Sequence, residues 1–167
     1  MKKYATERLR NVSLIAHGGA GKTSLTEAML YNAKVIDRLG RVEEGTTTSD
    51  YEPEEVKRQI SINSAIAPCP WKDYKINVID TPGYFDFVGE VKGSLRVSDG
   101  AVLVVCAVSG IEVGTEQVWD YADDYEMPRI IFINKMDREN ANFFKVLEEL
   151  RDKYGHNVVP FQLPIGA

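Results

Sequence analysis

Several things are scarce in this chain, and each scarcity excludes something. Only two cysteines and two histidines occur in 167 residues. Cys69 stands between Pro68 and Pro70, Cys106 lies in an apolar run over residues 102–108, and neither has histidines at ligand spacing. That pattern excludes a disulfide framework and a zinc site, and it points to a reducing, cytoplasmic setting. Positive charge is not in excess either: 20 Lys and Arg face 25 Asp and Glu, for a net charge of -5. A surface built to neutralise many phosphates is excluded, so little direct RNA binding is expected. No apolar run approaches the roughly 20 residues that span a bilayer. The polar start, residues 1–10, lacks the apolar stretch of a signal peptide, so neither membrane insertion nor secretion is expected. Internal repeats and low-complexity tracts are missing as well.

What is present suits a packed domain. Hydrophobic residues make up 44% of the chain and charged ones 27%, with 13 glycines and 7 prolines. These are ordinary globular proportions, and the length is that of one domain. Residues 12–16 form a short apolar run that enters His17-Gly18-Gly19-Ala20-Gly21, after which residues 22–31 read as a helix with Leu25, Ala28 and Met29 on one face. Residues 37–58 hold few large apolar side chains and many acids, which predicts a solvated, mobile loop. Residues 61–67 and 74–79 read as strands joined through a turn over residues 68–73. Residues 87–97 predict a short helix, 101–108 a strand buried on both faces, 112–125 a helix, 129–133 a second buried strand, and 140–154 an amphipathic helix offering Phe143, Phe144, Leu147 and Leu150 to the core. Strands alternating with helices in this way predict an α/β fold, a doubly wound, mostly parallel sheet.

Three segments carry chemistry. Residues 16–23 read A-H-G-G-A-G-K-T, the phosphate-loop pattern with Ala16 at the first glycine position. Small residues let successive backbone N–H groups face one concavity, and the following helix aims its positive end there. Lys22 can reach β- and γ-phosphate oxygens, and Thr23 can offer a hydroxyl to Mg²⁺. Asp80-Thr81-Pro82-Gly83 ends a strand with a carboxylate where doubly wound sheets bind ligands; Asp80 can hold Mg²⁺ through a water, and the Gly83 N–H can sense a γ-phosphate. Asn134-Lys135-Met136-Asp137 ends another strand, and Asp137 can accept from guanine N1–H and its exocyclic amine, a donor pair that adenine lacks. Each segment taken singly is also an ordinary turn or cap. Three of them at strand ends are hard to read as unrelated turns.

These segments, with the regions 10–23, 50–64, 76–83, 94–110, 128–144 and 162–167, resemble the GTP-binding domain of translational GTPases, elongation factor G and its paralogues above all. The resemblance implies a P-loop NTPase-type fold with helices on both faces of the sheet. It implies that GTP/GDP and Mg²⁺ are the ligands, and that the ribosome is the partner of the full-length protein. It also implies nucleotide contacts from His17, Gly18, Gly19, Ala20, Gly21, Lys22, Thr23, Ser24, Asp80, Gly83, Asn134, Lys135 and Asp137, with Thr23, Ser61 and Asp80 toward the metal. Residues 37–61 then correspond to the first switch and 80–93 to the second. Lys22, Gly83 and Tyr84 are the residues that the resemblance sets at the reacting phosphate.

Three departures from the family pattern stand out. Tyr84 replaces the histidine that follows Asp-Thr-Pro-Gly, and a phenol with a pKa of about 10 is a poor substitute for imidazole. Either its hydroxyl has a catalytic part, or the ring only packs near the switch. Gln59-Ile60-Ser61 stands for Gly-Ile-Thr, which keeps the hydroxyl and loses the glycine's freedom. Gly19 replaces an aspartate that helps hold a monovalent cation, which implies weaker K⁺ dependence. His17 is expected to be a local hydrogen-bonding residue, not a metal ligand. The guanine site's later Ser-Ala loop is not identifiable, and residues 157–167 resemble the approach to the family's insertion. The expectation is therefore an N-terminal part of a GTP-binding domain, ending before its last strand and helix, able to associate through the open sheet edge. The functional readings are a Mg²⁺-dependent GTPase of an elongation-factor-G-like protein, a nucleotide-dependent binding module with little hydrolysis, or a ribosome-protection factor.

Overall fold

A computed structural model describes residues 3–165; Met1, Lys2, Gly166 and Ala167, which close the two ends of the expected domain, lie outside the described residues. Five strands, β1 (Leu9–Ile15), β2 (Ala65–Trp71), β3 (Tyr74–Asp80), β4 (Gly100–Cys106) and β5 (Arg129–Asn134), form one sheet in the order β2-β3-β1-β4-β5. β1 is parallel to β3 and β4, and β4 to β5, while β2 runs antiparallel to β3. The helices are α1 (Lys22–Asn32), α2 (Pro53–Arg58), α3 (Val88–Arg96), α4 (Val113–Asp124) and α5 (Phe143–Tyr154). The doubly wound, mostly parallel sheet expected from the alternation is thus the architecture observed.

Strand β4 shows why the core forms where it does. Its side chains alternate between the two faces of the sheet. Ala101, Leu103 and Val105 pack with Val91 and Leu95 of α3, Val118 and Ala122 of α4, and Val146 and Leu150 of α5. Val102 and Val104 face the other way, with Leu14, Leu30 of α1, Ala67 and Val78. A continuous apolar run is what a strand covered by helices on both faces requires. Local caps fix the helix starts: Asn142 accepts from the Lys145 N–H at 2.9 Å and begins α5, and Glu112 and Thr115 form a capping box at α4.

The structure corrects several expectations. β2 starts at Ala65, not at residue 61, and carries Pro68 and Pro70 within it. Both prolines fall at its exposed positions, and an edge strand tolerates proline where its N faces solvent. The turn is therefore only Lys72-Asp73, with Lys72 at φ 53°. β5 is not buried on both faces, since at the sheet's other edge Ile130 is 67% exposed. In α5 it is Val146, Leu147 and Leu150 that are buried, while Phe144 points to solvent. The short helix expected over 87–97 is present as α3, and a 3₁₀ turn, Phe85–Phe87, leads into it. The loop over 37–58 contains a 3₁₀ turn (Val42–Glu44) and α2, and it buries Thr47, Ser49, Asp50 and Glu55. Its acids were expected to be solvated; Glu55 instead turns inward to accept backbone N–H groups of Ile62 at 2.9 Å and Asn63 at 3.0 Å. No helix among the described residues is long and apolar enough to cross a membrane.

Candidate functional site

The carboxyl ends of β1, β3 and β5 bring the three sequence segments together. The loop after β1 begins at Ala16, which is buried. Gly19 and Gly21 take φ 77° and 101°, conformations in which a Cβ is strained. Gly21 is required twice over, because a Cβ there would collide with the Asn134 side-chain amide. α1 starts at Lys22 directly after this turn, so its unpaired N–H groups and positive end face the loop. Ala20 is buried within the loop, and its N–H bonds back to the His17 carbonyl at 3.3 Å. Lys22 and Thr23 are buried and Ser24 is exposed.

Behind the loop, hydroxyls and carboxylates form one cluster. Thr23 Oγ1 donates to Asp80 Oδ2 at 2.8 Å, and Ser49 Oγ donates to the same oxygen at 2.8 Å. Ser61 Oγ lies 3.2 Å from Thr23 Oγ1 and donates to Asp50 Oδ1 at 2.7 Å. Asp80 Oδ1 is buried and has no hydrogen-bond partner. Oxygen donors of this kind, with an orphaned carboxylate oxygen among them, suit a hard divalent cation. Thr23, Ser61 and Asp80, the expected metal-side residues, do converge, and they fit Mg²⁺.

The electrostatics are those of a site with unmet charge. Burial pushes the Lys22 ammonium down from 10.5 to about 8, against the pull of Asp80 and then Asp50. Burial pushes the Asp80 carboxyl up to about 6, opposed by Lys22 and by the hydroxyls of Thr23 and Ser49. Asp50 is raised too, by burial first, with the Ser61 hydrogen bond easing it. Both signs of charge are thus costly here, and a ligand carrying phosphate with a cation offsets both.

Gly83 closes over the loop. A Cβ on it would lie 2.6 Å from Lys22 Nζ and 2.8 Å from Gly18 Cα. Thr81 anchors this stretch through its hydroxyl, which donates to the Leu14 carbonyl at 2.6 Å. The Tyr84 ring lies against Gly18, with Cε2 and Cζ each 3.4 Å from the position of a Cβ there. His17 is a correction: its Nδ1 is buried without a hydrogen-bond partner, and its Nε2 sits 3.5 Å from Glu112 Oε1. It braces the loop against Gly114 at the start of α4, where its role was expected to be hydrogen bonding. No group of three or more potential metal-ligating His, Cys, Asp or Glu residues occurs among the described residues.

The third segment is tied to the first. Asn134 Nδ2 donates to the Ala20 carbonyl at 3.0 Å, and Lys135 Nζ donates to the Gly19 carbonyl at 2.6 Å. Both side chains were expected at the base, and both hold the phosphate loop here. Asp137 is exposed at the rim, three residues beyond the end of β5. Sequence reasoning missed Ser49 and Asp50. The signal that marks them is the hydroxyl run Thr46-Thr47-Thr48-Ser49-Asp50 inside an otherwise acidic loop.

Comparison with known proteins agrees with this geometry. The family described as "Elongation factor Tu GTP binding domain" matches residues 7–163. The chain is 48% identical over 161 residues to elongation factor G 1 of Treponema denticola, covering 96% of this chain and 24% of that protein. It is 48% identical over 166 residues to elongation factor G of Salinibacter ruber, covering 99% of this chain and 24% of that one. A crystal structure of a Thermus thermophilus protein superposes with a TM-score of 0.85 at 42% identity, over 87% of this chain and 22% of the other. The chain therefore spans about a quarter of the length of the relatives it matches. With a glycine-rich loop, a carboxylate–hydroxyl cluster and the Asn134–Lys135 strand end brought together on one sheet, the chain belongs to the family of elongation factor Tu GTP-binding domains.

Proposed function

We propose that the chain binds GTP and GDP with Mg²⁺, hydrolyses GTP, and serves as the nucleotide switch of an elongation-factor-G-like translation factor on the ribosome. The observation that carries this reading is the convergence of Lys22, Thr23, Ser61 and Asp80 behind a loop braced by Asn134 and Lys135. The loop amides and the N-terminus of α1 take the phosphates, and Lys22 supplies positive charge to the β- and γ-oxygens. Thr23, Ser61 and Asp80 would hold Mg²⁺, which when bound adds charge neutralisation at those oxygens. Water attacks the γ-phosphorus in line; the bond to the bridging oxygen breaks, and GDP carries away its electron pair. Stabilising charge and holding the phosphate account for most of the acceleration in such reactions. Asp137 accepts from the guanine N1–H and amine. This chain's charge of -5 disfavours phosphate-backbone binding, so little direct RNA contact is expected of it.

Tyr84 supports a second reading, a binding module whose turnover is slow. Its ring packs on Gly18 and is 46% exposed, which favours a packing role for the side chain over proton transfer. Titration calorimetry with GDP, with a non-hydrolysable GTP analogue plus Mg²⁺, and with ADP tests the first reading. Saturable binding of the guanine nucleotides alone is expected, and Asp137→Ala weakens GDP binding by about ten- to a hundredfold, the worth of one charge-assisted hydrogen-bond pair. Equal binding of ADP, or no loss in Asp137→Ala, refutes the assignment.

A further inference from the structure

Glu27 is a carboxylate in the middle of α1, 1% exposed, and neither phosphate nor cation chemistry calls for an acid there. No ion pair within 4 Å involves it among the described residues. Its oxygens are taken by backbone instead. Oε2 accepts from the Gly40 N–H at 3.0 Å, and Oε1 accepts from the Thr48 N–H at 2.6 Å. The loop comes in closely to meet it, for a Cβ on Gly40 would stand 2.6 Å from Oε2 and 2.5 Å from the Thr46 carbonyl oxygen.

The two anchored N–H groups bracket the stretch that ends on the cation cluster. Thr48 is followed by Ser49, whose hydroxyl is on Asp80, and by Asp50, which takes the Ser61 hydroxyl. The helix that starts with Lys22 and Thr23 thus also carries the residue from which residues 40–50 hang. Resting on the nucleotide-switch reading above, we propose that Glu27 is a positioning residue: its carboxylate holds residues 40–50 so that Ser49, Asp50 and Ser61 meet Thr23 and Asp80. The chemistry calls for an acid. Two backbone N–H donors converge on the buried carboxylate and meet one oxygen each; a glutamine offers one oxygen, and its amide NH₂ faces the second donor with no acceptor.

The test compares the wild-type chain with Glu27→Gln, Glu27→Ala and, as a surface control, Glu54→Ala, whose carboxylate meets only Arg58 in the open. Amide hydrogen exchange is measured residue by residue without nucleotide. Exchange at Gly40 and Thr48 is expected to rise about ten- to a hundredfold in Glu27→Ala, as for the loss of charge-assisted hydrogen bonds, and by less in Glu27→Gln. Amides of β4 and the control variant stay as in wild type. A second readout is the Mg²⁺ concentration that halves the release rate of a fluorescent GDP; it is expected to rise about tenfold in Glu27→Ala while GDP affinity without Mg²⁺ is unchanged. Unchanged exchange at residues 40 and 48, an equal rise in β4, or wild-type behaviour of Glu27→Gln overturns the proposal. If the wild-type chain binds no GDP, the nucleotide reading fails on that result, and amide exchange alone decides for or against Glu27.

Discussion

Tyr84 separates two chemistries, and the structure supplies the sizes. The side chain is 46% exposed and rests on Gly18. An aromatic side chain buries roughly 150–250 Å² at most, so about half of that, on the order of 100 Å², is covered here. At about 25 cal/mol per Å² the contact contributes at most about 2.5 kcal/mol to holding the Asp80–Gly83 turn against the phosphate loop. Tyr84→Phe keeps that contact and removes only the hydroxyl, while Tyr84→Ala removes both. If the ring packs, Phe leaves single-turnover phosphate release from GTP within about twofold of wild type, and Ala loosens the turn at a cost of about 2 kcal/mol. If the hydroxyl moves a proton or orients the water, Phe alone slows release by about 10²–10⁴-fold. Release of labelled phosphate after mixing with GTP and Mg²⁺, with GDP affinity measured in parallel, distinguishes them. A loss of tenfold or more in Tyr84→Phe at unchanged GDP affinity refutes the packing argument.

Two further substitutions test the backbone and the core. Gln59 caps α2 at φ 56°, a left-handed conformation costing a side-chain-bearing residue roughly 1–2 kcal/mol. Glycine removes that strain and costs roughly 0.5–1 kcal/mol in the unfolded chain, so Gln59→Gly is expected to gain about 0.5–1 kcal/mol in urea unfolding, less whatever the exposed Gln59–Glu43 bond contributes; a loss of stability refutes it. The Tyr154 hydroxyl is buried without a partner while its ring stacks on Trp119 at 3.7 Å. Tyr154→Phe is therefore expected to gain about 1 kcal/mol, or roughly 2–4 °C in Tm. Burial first, then Glu116, raises the Tyr154 pKa from 10 to about 12. Between those values the unfolded chain gives up the proton that the folded chain keeps, so this contribution to stability falls as pH rises from 10 to 12. The same slope in Tyr154→Phe, read by thermal unfolding at several pH values, refutes the assignment.

The parts of the molecule that the sequence displayed are those governed by short-range pattern. β4 reads as a run because both of its faces are covered, and the phosphate loop reads as a motif because glycines at positions 19 and 21 carry positive φ. The site assembles because parallel strands end on the same side, which is why segments distant in sequence meet. Other features depended on neighbours that local pattern does not contain. Ile130 and Phe132 look the same in a central strand as at an edge, and strand order decides their exposure. Pro68 and Pro70 signal a turn unless the strand holding them is known to be an edge. Glu55 looks as solvated as the exposed acids around it until its targets, the backbone N–H groups of Glu52, Ile62 and Asn63, are seen. Asn134 and Lys135 likewise read as base contacts because nothing in the tetrad announces the carbonyls of Gly19 and Ala20.

The buried charges also fix how the two expected ligands act on each other. Lys22 is displaced toward its neutral form and Asp80 toward its protonated form, each chiefly by burial. Phosphate alone rewards the Lys22 ammonium and repels the Asp80 carboxylate. A divalent cation alone rewards Asp80 and repels Lys22. The pair together rewards both, so GDP and Mg²⁺ are expected to strengthen one another, with a coupling of about 1–3 kcal/mol, the usual size of such linkage. Linkage makes the effect symmetric: the factor by which saturating Mg²⁺ tightens GDP equals the factor by which saturating GDP tightens Mg²⁺. Calorimetric titration of each ligand with and without the other measures it. Asp80→Asn keeps the size of the side chain and removes the charge that the cation would meet, so it should collapse the coupling toward unity while leaving Mg²⁺-free GDP binding as tight as wild type or tighter. Additive binding in the wild-type chain, or full coupling in Asp80→Asn, would mean that these two buried charges do not set the site's electrostatics.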